Sequence, residues 1–274
     1  MEDAALSGIC WMCGGSADSR EHKFKKSDLV RRYGRQPYRE IGGVSHVVEG
    51  TEREVQGPSA KILTYDPVIC FRCNNTVSQP WDEAYRQFER WVFDNTQVVL
   101  KRRFILLEDV FGSDLFSAAC PALYKYFAKA FGCHLAHVGE QVPQDIVELL
   151  QQDYFRTMLR LAFSVNKSAF IMQPEDRDQF LGIGGLTRLD SRSLGKQAKY
   201  VWHMQVGWLC IRFFYDDAVP AGLGAPWTSD SACLYLCEFE PITLDEAIET
   251  ARTSGAPSLA DLEALRDRGG IIVE

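Results

Sequence analysis

The sequence predicts an α+β fold in two parts: a small zinc-containing module over residues 1–104, then a C-terminal α+β domain over residues 105–274. The second part reads as a helical segment followed by a mainly antiparallel sheet with flanking helices. Three observations carry this. Two Cys-x-x-Cys pairs, Cys10/Cys13 and Cys70/Cys73, bracket the first part. From Pro80 onward apolar residues recur at helical spacing, with Trp81, Tyr85, Phe88, Trp91 and Val92 sharing a face. After Asn166 the text becomes β-prone, in Ala169–Met172, around Leu186–Leu189, and in Tyr200–Val206, Trp208–Tyr215 and Cys233–Phe239.

The elements follow in order. GICWMCGG, residues 8–15, reads as a metal knuckle, its glycines letting backbone N–H groups turn toward the sulfurs. Ser27 can cap a short helix running to Tyr33, which Gly34 would end. Residues 38–66 contain two β-prone patches, GGVSHVVEG and AKILTY, separated by Gly57-Pro58 and consistent with a hairpin-like insertion. The second knuckle, VICFRCNN, comes next. The pattern breaks near residues 105–115, where the domain junction is placed. A helix is predicted from Pro121 to about Ala136, because proline suits a first turn and Leu123, Tyr126, Phe127, Ala130 and Phe131 share a face. Gln144–Leu150 and Tyr154–Phe163 read as further helices, and two more, near Leu244–Arg252 and Ser258–Arg268, close the chain. Gly182-Ile183-Gly184-Gly185 lacks the context of a nucleotide-binding loop and reads as a turn.

Composition narrows the class. A chain of 274 residues, 46% hydrophobic and 24% charged, can bury a sizeable core. Its longest apolar stretch, Val201–Tyr215, is interrupted by His203, Gln205 and Arg212, so no membrane span is predicted. The acidic start, Glu2 and Asp3, does not resemble an export signal, which predicts a cytoplasmic protein. The net charge of -7 hides an asymmetry: residues 1–104 hold 16 Lys and Arg against 14 Asp and Glu, and residues 105–274 hold 14 against 23. Within residues 20–39 there are eight basic and two acidic side chains. That cluster, with Lys23, Lys25, Lys26, Arg31, Arg32 and Arg35 as candidates, could meet a nucleic-acid backbone or could be a solvated helix face.

Nine cysteines without an export signal argue for reduced thiols rather than disulfides. Cys120, Cys133, Cys210, Cys233 and Cys237 lie in apolar surroundings and read as buried thiols. The two Cys-x-x-Cys pairs differ: four thiolates complete a closed tetrahedral site, so Cys10, Cys13, Cys70 and Cys73 are assigned a structural Zn²⁺. The 56 residues between Cys13 and Cys70 place much of the small module between the knuckles. Cys133-His134 with His137 has metal-like spacing but sits at the end of an amphipathic helix, where packing is the simpler reading.

Glu21-His22 follows the first knuckle and Asn74-Asn75 follows the second without a gap. Here the sequence resembles the HNH, or His-Me finger, nuclease-like family built on a treble-clef zinc scaffold. The order there is CxxC, an acidic residue with His, an insertion, CxxCN and then an Asp. This chain supplies Cys10–Cys13, Glu21-His22, Cys70–Cys73, Asn74 and Asp82 in that order, over residues 8–95. The resemblance implies that His22 acts as general base on water. It also implies that Glu21 and Asn74 hold Mg²⁺ or Mn²⁺ against a scissile phosphate of DNA or RNA.

Three functions follow as expectations. The first is a metal-dependent endonuclease whose acidic C-terminal domain serves partner binding, regulation or homodimerisation. The second is a non-catalytic, zinc-stabilised module that binds nucleic acid or protein, with His22 packed beside the knuckle and Asn74 bonded across the turn. The third is a structural or inhibitory protein that docks another protein on its C-terminal sheet.

Overall fold

The computed structural model describes residues 8–48, 51–152, 156–166, 169, 174–189, 199–216, 226–236, 248–249 and 252. The expected helix Ser258–Arg268, nearly all of Leu244–Arg252, the strand Ala169–Met172 beyond its first residue, and Cys237 lie outside them. The architecture is α+β with antiparallel sheets and a cysteine cluster near its start.

Helix α1, Lys26–Tyr33, ends at Gly34, whose φ of 82° is in the left-handed region that glycine tolerates. Its N-cap is Lys25, not Ser27; the Ser27 hydroxyl instead donates to Asp28 Oδ1 at 3.3 Å. Strands β1, Ser45–Val48, and β2, Thr51–Glu54, form the insertion's hairpin, pairing His46 with Arg53 and Val47 with Glu52. The second β-prone patch therefore pairs elsewhere. Residues 61–63 make one 3₁₀ turn, and the backbone beyond runs antiparallel to Glu21-His22-Lys23, with Tyr65 N–H donating to Glu21 O and Lys23 N–H to Leu63 O. A polar partner suits β1 because β2 is exposed along its length and needs no apolar pattern.

After the second knuckle the chain makes a wide π-type turn, Arg72–Val77, and enters α2, Gln79–Asp94. Then come α3, Thr96–Arg102, β3, Phe104–Leu106, α4, Leu107–Phe111, and α5, Phe116–His137. Helix α6, Gln144–Gln151, precedes β4, Leu159–Val165. The helix expected over Tyr154–Phe163 is thus a strand from Leu159, and the reason is burial. Leu161, Ala162, Phe163 and Ser164 are all buried, so both strand faces are covered and the period-2 signal is erased. Helix α7, Pro174–Gln179, leads to β5, Leu181–Ile183, β6, Thr187–Arg188, β7, Tyr200–Val206, β8, Leu209–Tyr215, and β9, Cys233–Tyr235. Gly182 is strand, not turn.

The five-stranded sheet runs β4-β8-β7-β5, with β6 also on β7, and every pairing is antiparallel. Strands β7 and β8 are joined by the two-residue turn Gly207-Trp208, where Gly207 adopts φ 56°. Strand β3 pairs β9, so the residues around position 105 are tied to the end of the sheet region.

Helix α5 is the spine. One side stacks on α2 through Tyr85 and Tyr126, ring centroids 3.9 Å apart. The other side meets the sheet through Phe127 on Phe163 and Phe213, and Phe131 on Trp202. The first knuckle rests on the same helix, because a Cβ on Gly132 would lie 2.5 Å from the Trp11 ring. Gly132→Ala would gain helix propensity of about 1 kcal/mol yet must displace a packed indole. It is expected to lower thermal stability by about 1–3 kcal/mol; calorimetry showing stabilisation would refute that packing.

Candidate functional site

Four sulfurs form the first constellation. Cys10, Cys13, Cys70 and Cys73 place their Sγ atoms within 4.8 Å of one another, close enough to hold a metal ion, and they are the only such group of His, Cys, Asp and Glu among the described residues. Cys13 Sγ and Cys70 Sγ are 3.7 Å apart. Each knuckle is made by its backbone: Cys10 N–H donates to Gly15 O and Gly14 N–H to Cys10 O, while Asn74 N–H donates to Cys70 O. Asp18 accepts from Phe71 N–H at 2.7 Å, and Ser19 N–H donates to Ile69 O, which registers one knuckle against the other.

That registration brings distant residues together. Asn74, 8% exposed, donates from Nδ2 to Ser19 Oγ at 3.0 Å and to Arg20 O at 3.4 Å, the residues just before Glu21-His22. Its Oδ1 is buried with no hydrogen-bond partner. Such an orphaned acceptor is costly unless a ligand fills the gap.

Glu21 points into the protein. Its Oε1 lies 3.1 Å from the Lys129 ammonium, which is 1% exposed on α5. Lys129 also donates to Ser78 Oγ at 3.1 Å and lies 3.8 Å from Asp82 Oδ1, while Lys25 pairs with Asp82 Oδ2 at 2.5 Å. Ser78 Oγ in turn donates to Asn74 O at 2.6 Å. Burial pushes the Glu21 carboxyl above its ordinary value, with Lys129 opposing. Burial pulls the Lys129 ammonium down, but Glu21 and Asp82 outweigh it and the net direction is up. Lys129 therefore stays charged. Asp82 Oδ1 is a second buried oxygen without a hydrogen bond.

His22 is half-buried. Its Nε2 sits 3.2 Å from Pro58 O, a group that can only accept, so the ring proton belongs on Nε2 and Nδ1 keeps its lone pair. Burial lowers its pKa, the Pro58 contact opposes this, and Lys26, Lys25 and Lys129 push it further down. The ring is neutral at pH 7. Pro58 also lines a groove of about 560 Å³ walled by Lys26, Ser27, Val30, Arg35 and Ser59.

The basic cluster divides in two. Arg31 and Arg32 both reach Glu89 on α2, which is almost fully buried, and Arg32 covers the Phe93 ring. Beneath them burial and Glu89 raise the Asp28 carboxyl to about 7, against the pull of Arg32. These arginines and Lys25 bind α1 to α2. Lys23, Lys26 and Arg35 have no ion-pair partner among the described residues and remain free to meet an external anion.

Lys129 is the residue that reading the sequence missed. The signal was present: α5 is apolar nearly all round, so a lysine between Tyr126 and Cys133 at helical spacing had to be buried and paired. Of the five cysteines read as buried thiols, Cys120 and Cys133 are buried, and Cys210 and Cys233 are half-buried.

No protein-family model, curated protein or solved structure matches the chain. No described helix is long and apolar enough to cross a membrane.

Proposed function

We propose that the chain is an HNH-like, metal-dependent endonuclease that hydrolyses phosphodiester bonds of DNA or RNA. The observation that carries this reading is the contact of Asn74 with Ser19 and Arg20, which joins the end of the second knuckle to Glu21-His22 across more than 50 residues of sequence. The knuckles act as a treble-clef-like clamp. The 3.7 Å separation of Cys13 Sγ and Cys70 Sγ agrees with the edge, about 3.8 Å, of a tetrahedron with Zn–S bonds near 2.3 Å. A site closed by four thiolates leaves no position for substrate, so the zinc is structural.

His22 then serves as general base. With its proton on Nε2, held by Pro58 O, its Nδ1 can take a proton from water, and its depressed pKa keeps that nitrogen available at neutral pH. Lys26 and Arg35, in the adjoining groove, suit the phosphates on either side of the cut. Glu21, Asn74 Oδ1 and Asp82 Oδ1 are hard oxygen donors of the kind Mg²⁺ or Mn²⁺ takes, and the last two carry no hydrogen bond. When bound, such an ion supplies positive charge to the phosphate.

The test is incubation with plasmid, single-stranded DNA and RNA in Mg²⁺ or Mn²⁺. Cleavage is expected to fall by about 10²- to 10⁴-fold in His22→Ala, the usual share of a general base. No cleavage by the wild-type protein, or equal cleavage by the variant, defeats the proposal.

One observation favours a second reading, a non-catalytic module that binds nucleic acid. Lys129 already neutralises Glu21, so the carboxylate has a resident cation. In that case salt-sensitive binding survives His22→Ala but weakens in Lys26→Ala/Arg35→Ala, with the salt slope falling by about one per lost phosphate contact.

A further inference from the structure

A second cavity, of about 600 Å³, lies between the cysteine-bearing part, the C-terminal end of α5 and the β5 edge of the sheet. That volume is in the range of small-molecule sites, about 300–1,000 Å³. Its walls are aromatic: Phe24, Tyr33, Tyr65 and Phe180 contribute rings, and the Tyr33 hydroxyl donates to Gln179 O, holding α1 against the end of α7. Phe180 is 42% exposed, unusual for a phenylalanine at the mouth of a cavity unless something covers it.

Its polar lining is Lys23, Ser45, His46, His134 and His137. His134, 7% exposed, lines the cavity and stacks on Trp202 with centroids 4.5 Å apart. The Tyr65 hydroxyl lies 3.5 Å from His134 Nδ1, and the buried His134 Nε2 has no hydrogen-bond partner. Burial and His137 lower the His134 pKa to about 4, so the ring is neutral at pH 7, with one nitrogen a donor and the other an acceptor. Lys23 lines the same cavity; burial lowers its pKa and the Asp66 carboxylate opposes this.

We infer that this cavity receives one nucleobase, unstacked from its strand, with the attached phosphate on Lys23. A flat heterocycle that carries both ring donors and ring acceptors matches aromatic walls and an unpartnered imidazole nitrogen, and an adjacent phosphate matches the cation. The inference rests on the nucleic-acid reading above but not on hydrolysis. It makes the substrate single-stranded, or a duplex from which one nucleotide is extruded.

Calorimetric titration with the four nucleoside 5′-monophosphates, ribose 5-phosphate and a single-stranded dodecamer tests it. At least one mononucleotide is expected to bind about tenfold or more tightly than ribose 5-phosphate. Phe180→Ala, which trims an exposed ring, and His134→Phe, which keeps the stack on Trp202 but deletes the ring nitrogens, are each expected to weaken binding about tenfold. Equal affinity for ribose 5-phosphate, no mononucleotide binding, or affinity unchanged in both variants overturns the inference. Nucleotide binding without cleavage upholds the pocket and sinks the hydrolase; cleavage without nucleotide binding does the reverse.

Discussion

A metal ion on Cys10, Cys13, Cys70 and Cys73 is the proposed clamp, and removing it is expected to unfold far more than the two knuckles. Cys10 and Cys73 are almost wholly buried, and so are Met12, Val68 and Ile69 around them, in the same core that contains α5. Without an ion, burial pushes the Cys10 and Cys73 thiols up, and four thiolates this close would repel. Structural zinc contributes about 10–16 kcal/mol in isolated zinc-finger peptides, comparable to the whole stability of an ordinary domain. Elemental analysis should find one zinc per chain. A strong chelator, or Cys73→Ala, should lower the melting temperature by more than about 10 °C and expose Lys23, Lys25 and Lys26 to trypsin. Substoichiometric metal, with a melt unchanged in chelator, would remove the clamp from the account and with it the means by which Asn74 reaches Ser19 and Arg20.

Lys129→Met carries the second-largest expected effect. The substitution keeps the volume of the stem but leaves Glu21 and Asp82 facing each other in a nearly dry site, and breaking a buried ion pair from one side typically costs about 3–5 kcal/mol. The loss should depend on pH with a definite sign. The Glu21 carboxyl already titrates above its unfolded value, and without Lys129 it must rise further. A folded-state pKa raised above the unfolded one means stability that is present at low pH and disappears as pH climbs through the carboxylate range and on to the folded value. Lys129→Met should therefore melt closer to wild type at pH 5 than at pH 8, and Glu21→Gln/Lys129→Met should recover part of the deficit. A pH-independent deficit, or a double variant no better than the single one, would show that Lys129 matters for packing rather than charge.

On the endonuclease reading, folding and activity are set against each other at this site. The ammonium that stabilises Glu21 is the group a divalent cation would have to share it with. The same measurements on Lys129→Met therefore bear on function: a variant that folds at pH 5 and gains affinity for Mn²⁺ supports the endonuclease, because the carboxylates are then free.

Local chemistry was legible along the chain. The knuckles, the helix of Trp81, Tyr85 and Phe88, the end of α1 at Gly34 and the strands β7 and β8 all follow from spacing, glycine conformation and β-prone composition within one segment. Where burial came from several sides, the pattern failed. Strand β4 is covered on both faces, so Leu159–Val165 carried no alternation to read. The partner of β1 is a row of exposed polar residues with no apolar signature. Arg31 and Arg32 looked like surface charge in a basic run, yet the fold brings Glu89 to them from more than 50 residues away.

By itself, then, the sequence determined the cysteine framework, the α+β class and the candidates Glu21, His22 and Asn74, because each is a matter of residue type and short-range spacing. Only the tertiary structure decided their state. It set Lys129 between Glu21 and Asp82, turned His22 Nε2 onto Pro58 O, left Asn74 Oδ1 without a partner and enclosed a cavity against His134. Desolvation and ion pairing are properties of the space a side chain enters, and that space is built from segments remote in the chain.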